Sequence, residues 1–334
     1  MSNWGKGVIN NIGWGQGANN DIGWGSIYNK SNAGETLLSG GGNTDAFIIE
    51  VKTDNAGTSN DNQFQFTGAE GDYDVVAKQN GIVVANFNDL SGEETITLPS
   101  SGVYVLEIKA KEVNGFNRIQ FNNGGDNLKI TDIKQWGEVA WSGFSRAFFG
   151  CSNMLITATD VPNLSNVNSM FAMFAFANLV NPNTSNWDVS SVTTMDFMFR
   201  RASSANPDVS NWDVSSVTTM ELMFEFATIA NPDVSNWDVS SVFYMDGVFN
   251  NATSANPDTS NWDVSNALYM YQLFEGSNLS VENLTLVYEN WSLLTLQRDI
   301  YFGAQGVQYF ESGQAGKDTM VNTYNWTIED GGQV

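Results

Sequence analysis

Residues 206–230 read NPDVSNWDVSSVTTMELMFEFATIA, and variants of this 25-residue unit stand on both sides of it. The other copies are NPNTSNWDVSSVTTMDFMFRRASSA at 181–205, NPDVSNWDVSSVFYMDGVFNNATSA at 231–255 and NPDTSNWDVSNALYMYQLFEGSNL at 256–279. Decayed copies upstream, around Phe148 and Phe174, bring the total to about six. A fixed period of this size predicts stacked units, each of which buries its apolar face against its neighbours.

Within one unit, two apolar patterns predict secondary structure. Residues 209–217 follow an L-x-x-L-x-L pattern centred on Trp212, which is typical of a short strand and its turn. From Met220 to Ala227, apolar side chains recur at i, i+3, i+4 and i+7, which predicts one face of a helix. The following Asn231-Pro232 pair would end that helix. The repeats are therefore predicted to form an α/β leucine-rich-repeat solenoid.

The rest of the chain divides by composition, and the predicted fold class is mixed. Residues 41–126 contain seven short β-branched or aromatic runs between turn residues, which predicts an all-β sandwich. The solenoid would occupy residues 127–278, and residues 279–334 would form a C-terminal cap that begins with a helix. Residues 1–40 are an extended Gly/Trp/Asn segment with too little aliphatic content for a core of its own.

The repeat motif N-W-D-V-S-S-V-T-T-M-x-x-M-F resembles the BspA-like leucine-rich-repeat surface proteins of bacteria and some phages. The similarity extends over residues 123–334. This resemblance implies adhesion and surface display. It supplies no catalytic residues.

The N-terminal segment contains a second repeat, in which Trp4-Gly, Trp14-Gly and Trp24-Gly recur every ten residues. Large apolar rings on a glycine-rich backbone predict docking onto another surface, and a disordered leader is the alternative. The segment resembles the N-terminal parts of tail or fibre proteins in phages of Bacteroidetes hosts. Trp4, Trp14 and Trp24 are therefore candidate contacts to other virion proteins, or to sister copies in a homo-oligomer.

Composition excludes several functions. The chain has 14 basic and 37 acidic residues, a net charge of −23, which disfavours nucleic acid and anionic lipid as partners. It has no histidine and one cysteine, Cys151, which excludes histidine-based catalysis and cysteine zinc clusters. No apolar run predicts a membrane span or a secretion signal. A phage protein on the virion surface reconciles a surface-type repeat with the lack of a predicted export route.

The candidate binding residues lie on the predicted strand face opposite Trp212, because successive strand side chains point to opposite faces. They recur as an Asn–Asp–Ser trio in each repeat: Asn186, Asp188, Ser190; Asn211, Asp213, Ser215; Asn236, Asp238, Ser240; and Asn261, Asp263, Ser265. Stacked carboxylates repel one another and need compensation. Either each Asp accepts the N–H of the Ser two residues later in an Asx-turn, or the row holds Ca²⁺ or a hydroxyl-rich ligand.

These observations predict a non-enzymatic phage virion surface protein, a fibre or adhesin, that attaches to a host surface or to an environmental glycan or protein. No catalytic residue, transition metal or other cofactor is expected, since the same polar residues recur at every turn and a catalytic centre is asymmetric. Two alternatives stay open. One is a bacterial cell-surface or released adhesin, and the other is a glycan-degrading enzyme of the virion.

Overall fold

The computed structural model describes residues 44–111 and 115–334. Its strands are β1 (Phe47–Lys52), β2 (Gln63–Gln65), β3 (Asp72–Gln79), β4 (Ile82–Ser91), β5 (Thr95–Thr97), β6 (Val103–Ala110), β7 (Ile130–Gln135), β8 (Leu155–Ile156), β9 (Tyr301–Gly303) and β10 (Thr327–Glu329). Six of them form one sheet in the order β4-β3-β6-β1-β7-β8. All neighbours in it are antiparallel except β7 and β8, which are parallel.

The large sheet buries one face. Side chains alternate between buried and partly exposed along β1, β3 and β6, as period-two strands do. The β2–β5 pair forms a separate two-stranded sheet that buries Phe64 and Ile96, and Phe66 beside it contacts Tyr73 of β3 with ring centres 5.3 Å apart. This arrangement is compatible with the predicted β-sandwich. The last of the seven runs that predicted strands, residues 118–121, forms no strand, because only an isolated bridge from Arg118 to Glu70 is present there.

A buried ion pair fastens the loop before β2 to the start of β7. Lys129 Nζ lies 3.8 Å from Asp126 Oδ2, and both side chains are fully buried. The ammonium donates to the carbonyl oxygens of Ser59, Asn60 and Gln63 at 2.8–3.0 Å. Asp126 accepts the backbone N–H groups of Thr58 and Ser59 in the same loop and of Gln65 in β2, at 2.7–3.1 Å. Because nearly every polar atom of the pair is bonded, the two charges are held without solvent.

The α/β leucine-rich-repeat solenoid predicted for the repeats is wrong. Within residues 160–279, all of them described, there is neither a helix nor a strand, only turns and isolated parallel bridges. The expected strand around Trp212 consists of turns, in which the N–H of Trp212 donates to Val209 O and that of Val217 to Val214 O. The expected helix from Met220 to Ala227 is also a run of turns.

Left-handed residues explain why the helix does not form. Leu222 has a φ of 53° and Phe226 a φ of 55°, and a right-handed helix cannot contain either. The backbone N–H groups that a helix would use internally instead reach the next repeat. Leu222 donates to Asp246 O at 2.8 Å, and Phe226 donates to Asn250 O at 2.9 Å. Each left-handed residue with a Cβ costs about 1–2 kcal/mol, which the inter-repeat bonds and the core must offset.

Aromatic columns fill the interior of the stacked repeats. Rings one repeat apart are stacked with centres 5.6–5.9 Å apart in the column Phe148, Phe174, Phe199, Phe224, Phe249 and Phe274. Trp212, Trp237 and Trp262 stack at 6.2–6.5 Å with nearly parallel planes, and all are buried. Each of these indoles donates its N–H to a carbonyl of the preceding repeat. The stack is therefore held in register by both apolar contacts and hydrogen bonds.

The segment 279–334 begins with a helix, as the sequence predicted. Ser280 caps helix α1 (Val281–Trp291) by accepting the N–H of Asn283, and the helix buries Leu284, Val287, Tyr288 and Trp291. Helix α2 (Gln314–Tyr324) follows, and β9 pairs with β10 in parallel. In the part of the chain that the structure describes, no helix has the length and apolar character to cross a membrane.

Candidate functional site

The predicted Asn–Asp–Ser trios lie on the surface, although turns rather than a strand carry them. In every trio the Asn and the Asp are exposed and the Ser is partly exposed, while Trp and Val between them are buried. The alternation that motivated the prediction is thus real. Its cause is a pair of tight turns over each buried Trp.

Each Asp of the trio forms an Asx-turn. Asp213 Oδ1 accepts the N–H of Ser215 at 3.1 Å and its hydroxyl at 2.6 Å, and Asp188 does the same with Ser190. Asp238 and Asp263 accept the N–H of Ser240 and Ser265. The Asx interpretation is confirmed, since one carboxylate oxygen in each repeat is bonded within its own turn.

Those hydrogen bonds set the charge of the row. Donation from Ser190 lowers the pKa of Asp188, and donation from Ser215 and Ser240 likewise lowers the pKa of Asp213 and of Asp238. The negative charge of Asp213 opposes this effect on its two neighbours but does not reverse it. The row is therefore anionic at neutral pH.

An open cleft joins the last two trios. It has a volume of about 360 Å³, and Asn236, Asp238, Asn261 and Asp263 line it together with Ser235 and the edge of Trp237. Carboxylates and amides at its walls can accept from and donate to hydroxyl groups. Among residues 44–111 and 115–334, no group of three or more acidic or cysteine side chains is placed to hold a metal ion.

Sequence reasoning missed a second row of Asx-turns five residues before the first. Asp208, Asp233 and Asp258 accept the N–H and hydroxyl of Ser210, Ser235 and Ser260, and Asn183 accepts in the same way from Ser185. The signal was the D/N-x-S spacing, which recurs in every unit. Since Asn183 fills the position as well as Asp does, the turn needs an oxygen acceptor and no charge.

A patch of exposed aromatic side chains was also missed. Tyr244 and Tyr269 are 42% and 50% exposed, and their rings stack 5.0 Å apart. Tyr271, 47% exposed, packs edge-on against Tyr301. The signal was a departure from the repeat, because the two earlier units have Thr194 and Thr219 where the later units have Tyr244 and Tyr269. Clustered exposed aromatic surface of this kind marks interaction sites.

A further set of carboxylates is partly buried between consecutive repeats. Burial raises the pKa of Asp196, Glu221 and Asp246. Asp196 Oδ1 accepts the N–H of Glu221 at 2.7 Å, and Asp246 Oδ1 accepts that of Tyr271 at 2.6 Å. Asp196 and Asp246 therefore fasten consecutive repeats to each other, and their hydrogen bonds account for their position.

Cys151 is fully buried, and burial raises the pKa of its thiol, so it is a residue of the core. Trp4, Trp14 and Trp24 lie outside the described residues.

Two overlapping stretches of the chain, residues 142–236 and 208–301, match a family described as "Mycoplasma protein of unknown function, DUF285". The match covers the repeats that carry both the trios and the tyrosines. No curated protein and no solved structure matches the chain.

Proposed function

We propose that this protein is a non-enzymatic attachment protein, a fibre or adhesin on the surface of a phage virion. Its stacked repeats would bind a host or environmental surface glycan or protein. The observation that carries the proposal is the fourfold recurrence of one exposed Asn–Asp–Ser trio on a stack held in register.

Fixed spacing suits a ligand that itself repeats. The stacked phenylalanine rings are separated by 5.6–5.9 Å, so equivalent trios follow one another at short, regular steps. The Asx-turns hold each Asp in one orientation before a ligand arrives, which lowers the entropic cost of binding. Several weak contacts along one ligand then add through effective concentration.

The proposal also covers partners and ions. Residues 1–40, through Trp4, Trp14 and Trp24, would dock the protein onto other virion proteins or onto sister copies. Because the Asp row is anionic at neutral pH, Ca²⁺ could bridge its carboxylates to ligand hydroxyls. No membrane insertion and no nucleic acid binding form part of this function.

The test uses the labelled full-length chain on an array of bacterial surface polysaccharides and on whole cells. One variant carries Asp213→Asn, Asp238→Asn and Asp263→Asn. It keeps every Asx acceptor, as Asn183 shows, and removes three charges from the trios. The matched control carries Asp208→Asn, Asp233→Asn and Asp258→Asn, which removes the same charge from the other row of turns.

We expect the first variant to lose at least tenfold in apparent affinity and the control to stay within twofold of the wild type. Equal losses in both would mean that overall charge, and not the trio, governs attachment. Release of oligosaccharide from any array member would show that the protein hydrolyses glycans, and the proposal of a non-enzymatic attachment protein would then be wrong. If antibodies find the protein on bacterial envelopes and never on particles, the virion assignment fails while attachment survives.

A further inference from the structure

Three arginines form one isolated positive site on this acidic chain. Between Lys134 and Arg298 the only basic residues are Arg146, Arg200 and Arg201. Although they come from two repeats, Arg146 and Arg200 line one cleft, and Arg201 lies against Phe176 of the same cleft. In a molecule of net charge −23, a gathering of all the cations of this long segment is not expected from solubility alone.

Phenylalanine rings interleave with the three cations. The guanidinium carbon of Arg146 lies 4.9 Å from the ring centre of Phe171, and that of Arg200 lies 5.4 Å from Phe197. Arg201 lies 4.6 Å from the ring centre of Phe226. Stacking on a ring uses the face of a guanidinium and leaves its in-plane N–H donors available. Each arginine is therefore positioned and still able to bind an anion.

A cleft opens between Arg146 and Arg200. Its volume is about 180 Å³, and Phe171, Phe176, Phe197 and Ala175 complete most of its lining. The space exists because Ala175 stands where the next two repeats have Arg200 and Glu225. Arg200 is oriented at the cleft by an ion pair from its Nε to Glu225, so its terminal nitrogens remain for a ligand.

The rings of the cleft are kept in a conformation that bulky side chains avoid. Phe176 has a φ of 59° and Phe197 a φ of 60°. The equivalent positions of later repeats, Arg201, Leu222 and Phe226 among them, have positive φ as well. The conformation therefore belongs to the turns of every repeat and not to the cleft alone.

We infer that this cleft binds the carboxylate-bearing ring of an acidic sugar in a surface glycan. Two guanidinium groups match one carboxylate, and the phenylalanine faces match the apolar side of a ring. The cleft is smaller than the roughly 300–1,000 Å³ of drug-sized pockets, which suits one sugar residue better than a peptide segment. The negative charge of the remaining chain repels long polyanions, so a single anionic unit in a largely neutral glycan fits best. The choice of a glycan over other carboxylates rests on the proposed attachment function.

The experiment measures binding of four probes to the full-length chain by calorimetry and saturation-transfer NMR. The probes are glucuronic acid, N-acetylneuraminic acid, the methyl ester of glucuronic acid and an acidic tetrapeptide. Arg146→Gln removes one exposed cation from the cleft, and Arg146→Lys keeps the charge but not the planar pair of donors. Arg298→Gln is the control, because it removes an equal, exposed charge outside the cleft.

We expect at least one acidic sugar to bind ten times more tightly than the ester. Arg146→Gln should weaken that binding tenfold or more, Arg146→Lys by an intermediate factor, and Arg298→Gln by less than twofold. No preference for acid over ester, or equal losses in Arg146→Gln and Arg298→Gln, would overturn the inference. Tighter binding of the peptide would make the cleft a peptide site. The variant with Asn at Asp213, Asp238 and Asp263 should leave acidic-sugar binding unchanged. Failure of the attachment proposal based on the trios can therefore be distinguished from failure of the proposal for the arginine cleft.

Discussion

Trp237 offers a direct test of how the repeats hold together. Its side chain is 3% exposed, with the ring parallel to Trp212 at 6.5 Å and to Trp262 at 6.2 Å. Its indole N–H donates to Val209 O at 3.1 Å, one repeat away. The residue thus contributes apolar burial and an inter-repeat hydrogen bond at once.

Replacing Trp237 separates these contributions. Trp237→Ala should cost about 3–5 kcal/mol, as expected for a buried aromatic that leaves a cavity. Trp237→Phe keeps a ring in the column but removes the indole bond to Val209 O, which still accepts the backbone N–H of Trp212. The cost beyond the loss of volume is therefore that of one hydrogen bond, about 0.5–1.5 kcal/mol.

Trp187 is the matched control, because it occupies the same place one repeat before Trp212 and is 4% exposed. Its indole N–H finds no acceptor among the described residues. Trp187→Phe removes no such bond, so Trp237→Phe should lose about 0.5–1.5 kcal/mol more stability than Trp187→Phe. Urea titrations followed by circular dichroism give both values, with the m-value checked for constancy. If the two variants lose the same stability, the inter-repeat bond contributes nothing and the reasoning is refuted.

Four further outcomes are expected. Lys129→Met should lower the free energy of unfolding by about 3–5 kcal/mol, since it leaves a buried carboxylate unpaired, and urea titration measures it. Asp246→Asn keeps the acceptor, so it should raise the thermal midpoint at neutral pH. This gain should shrink as pH falls through the raised pKa of the folded-state Asp246 carboxyl, and it should vanish below the ordinary aspartate pKa of the unfolded chain, where the carboxyl is neutral in both states. Tyr244→Thr with Tyr269→Thr restores the earlier repeat residue, so melting should change by less than a few degrees while attachment to cells weakens. Deleting residues 1–40 should leave the melting curve unchanged and prevent incorporation into particles, which electron microscopy of assembled particles would show.

The sequence allowed the buried positions to be predicted better than the backbone that holds them. The recurrence of Met, Phe and Trp predicted the interior columns, since apolar side chains at equal places in stacked units meet one another. The pattern from Met220 to Ala227 could not distinguish a helix from consecutive turns, because both put i, i+3, i+4 and i+7 on one side. Glycine would have signalled the turns, but this unit has Leu222 and Phe226 at its left-handed positions.

The sequence also failed to predict the role of the asparagine that precedes each proline. The Asn-Pro pairs were interpreted as helix breakers, yet Asn206 Oδ1 accepts the N–H of Asn231, and Asn231 Oδ1 accepts that of Asn256. This ladder exists only between units, so no pattern within one unit predicts it. The arginine cleft was not predicted for the same reason, since Arg146 and Phe171 belong to different repeats and come into contact only when the repeats stack.

Stacking constrains the residues that face the next repeat differently from the residues that face outward. Positions that face the next repeat must be nearly identical, because each ring packs on its own equivalent and each carbonyl meets the same donor. Outward positions carry no such constraint. The trios nevertheless stay the same, while Ala175, Arg200 and Glu225 differ at one equivalent place. The Asx-turns require the Asp and Ser of each trio, and the uniform surface that results suits a repeating ligand. A surface that varies from unit to unit can form a single asymmetric cleft. One extended glycan with a repeating backbone and an occasional acidic sugar would match both surfaces. The binding free energies at the trios and at the cleft are then expected to add when the glycan between the two bound parts is long enough to span them.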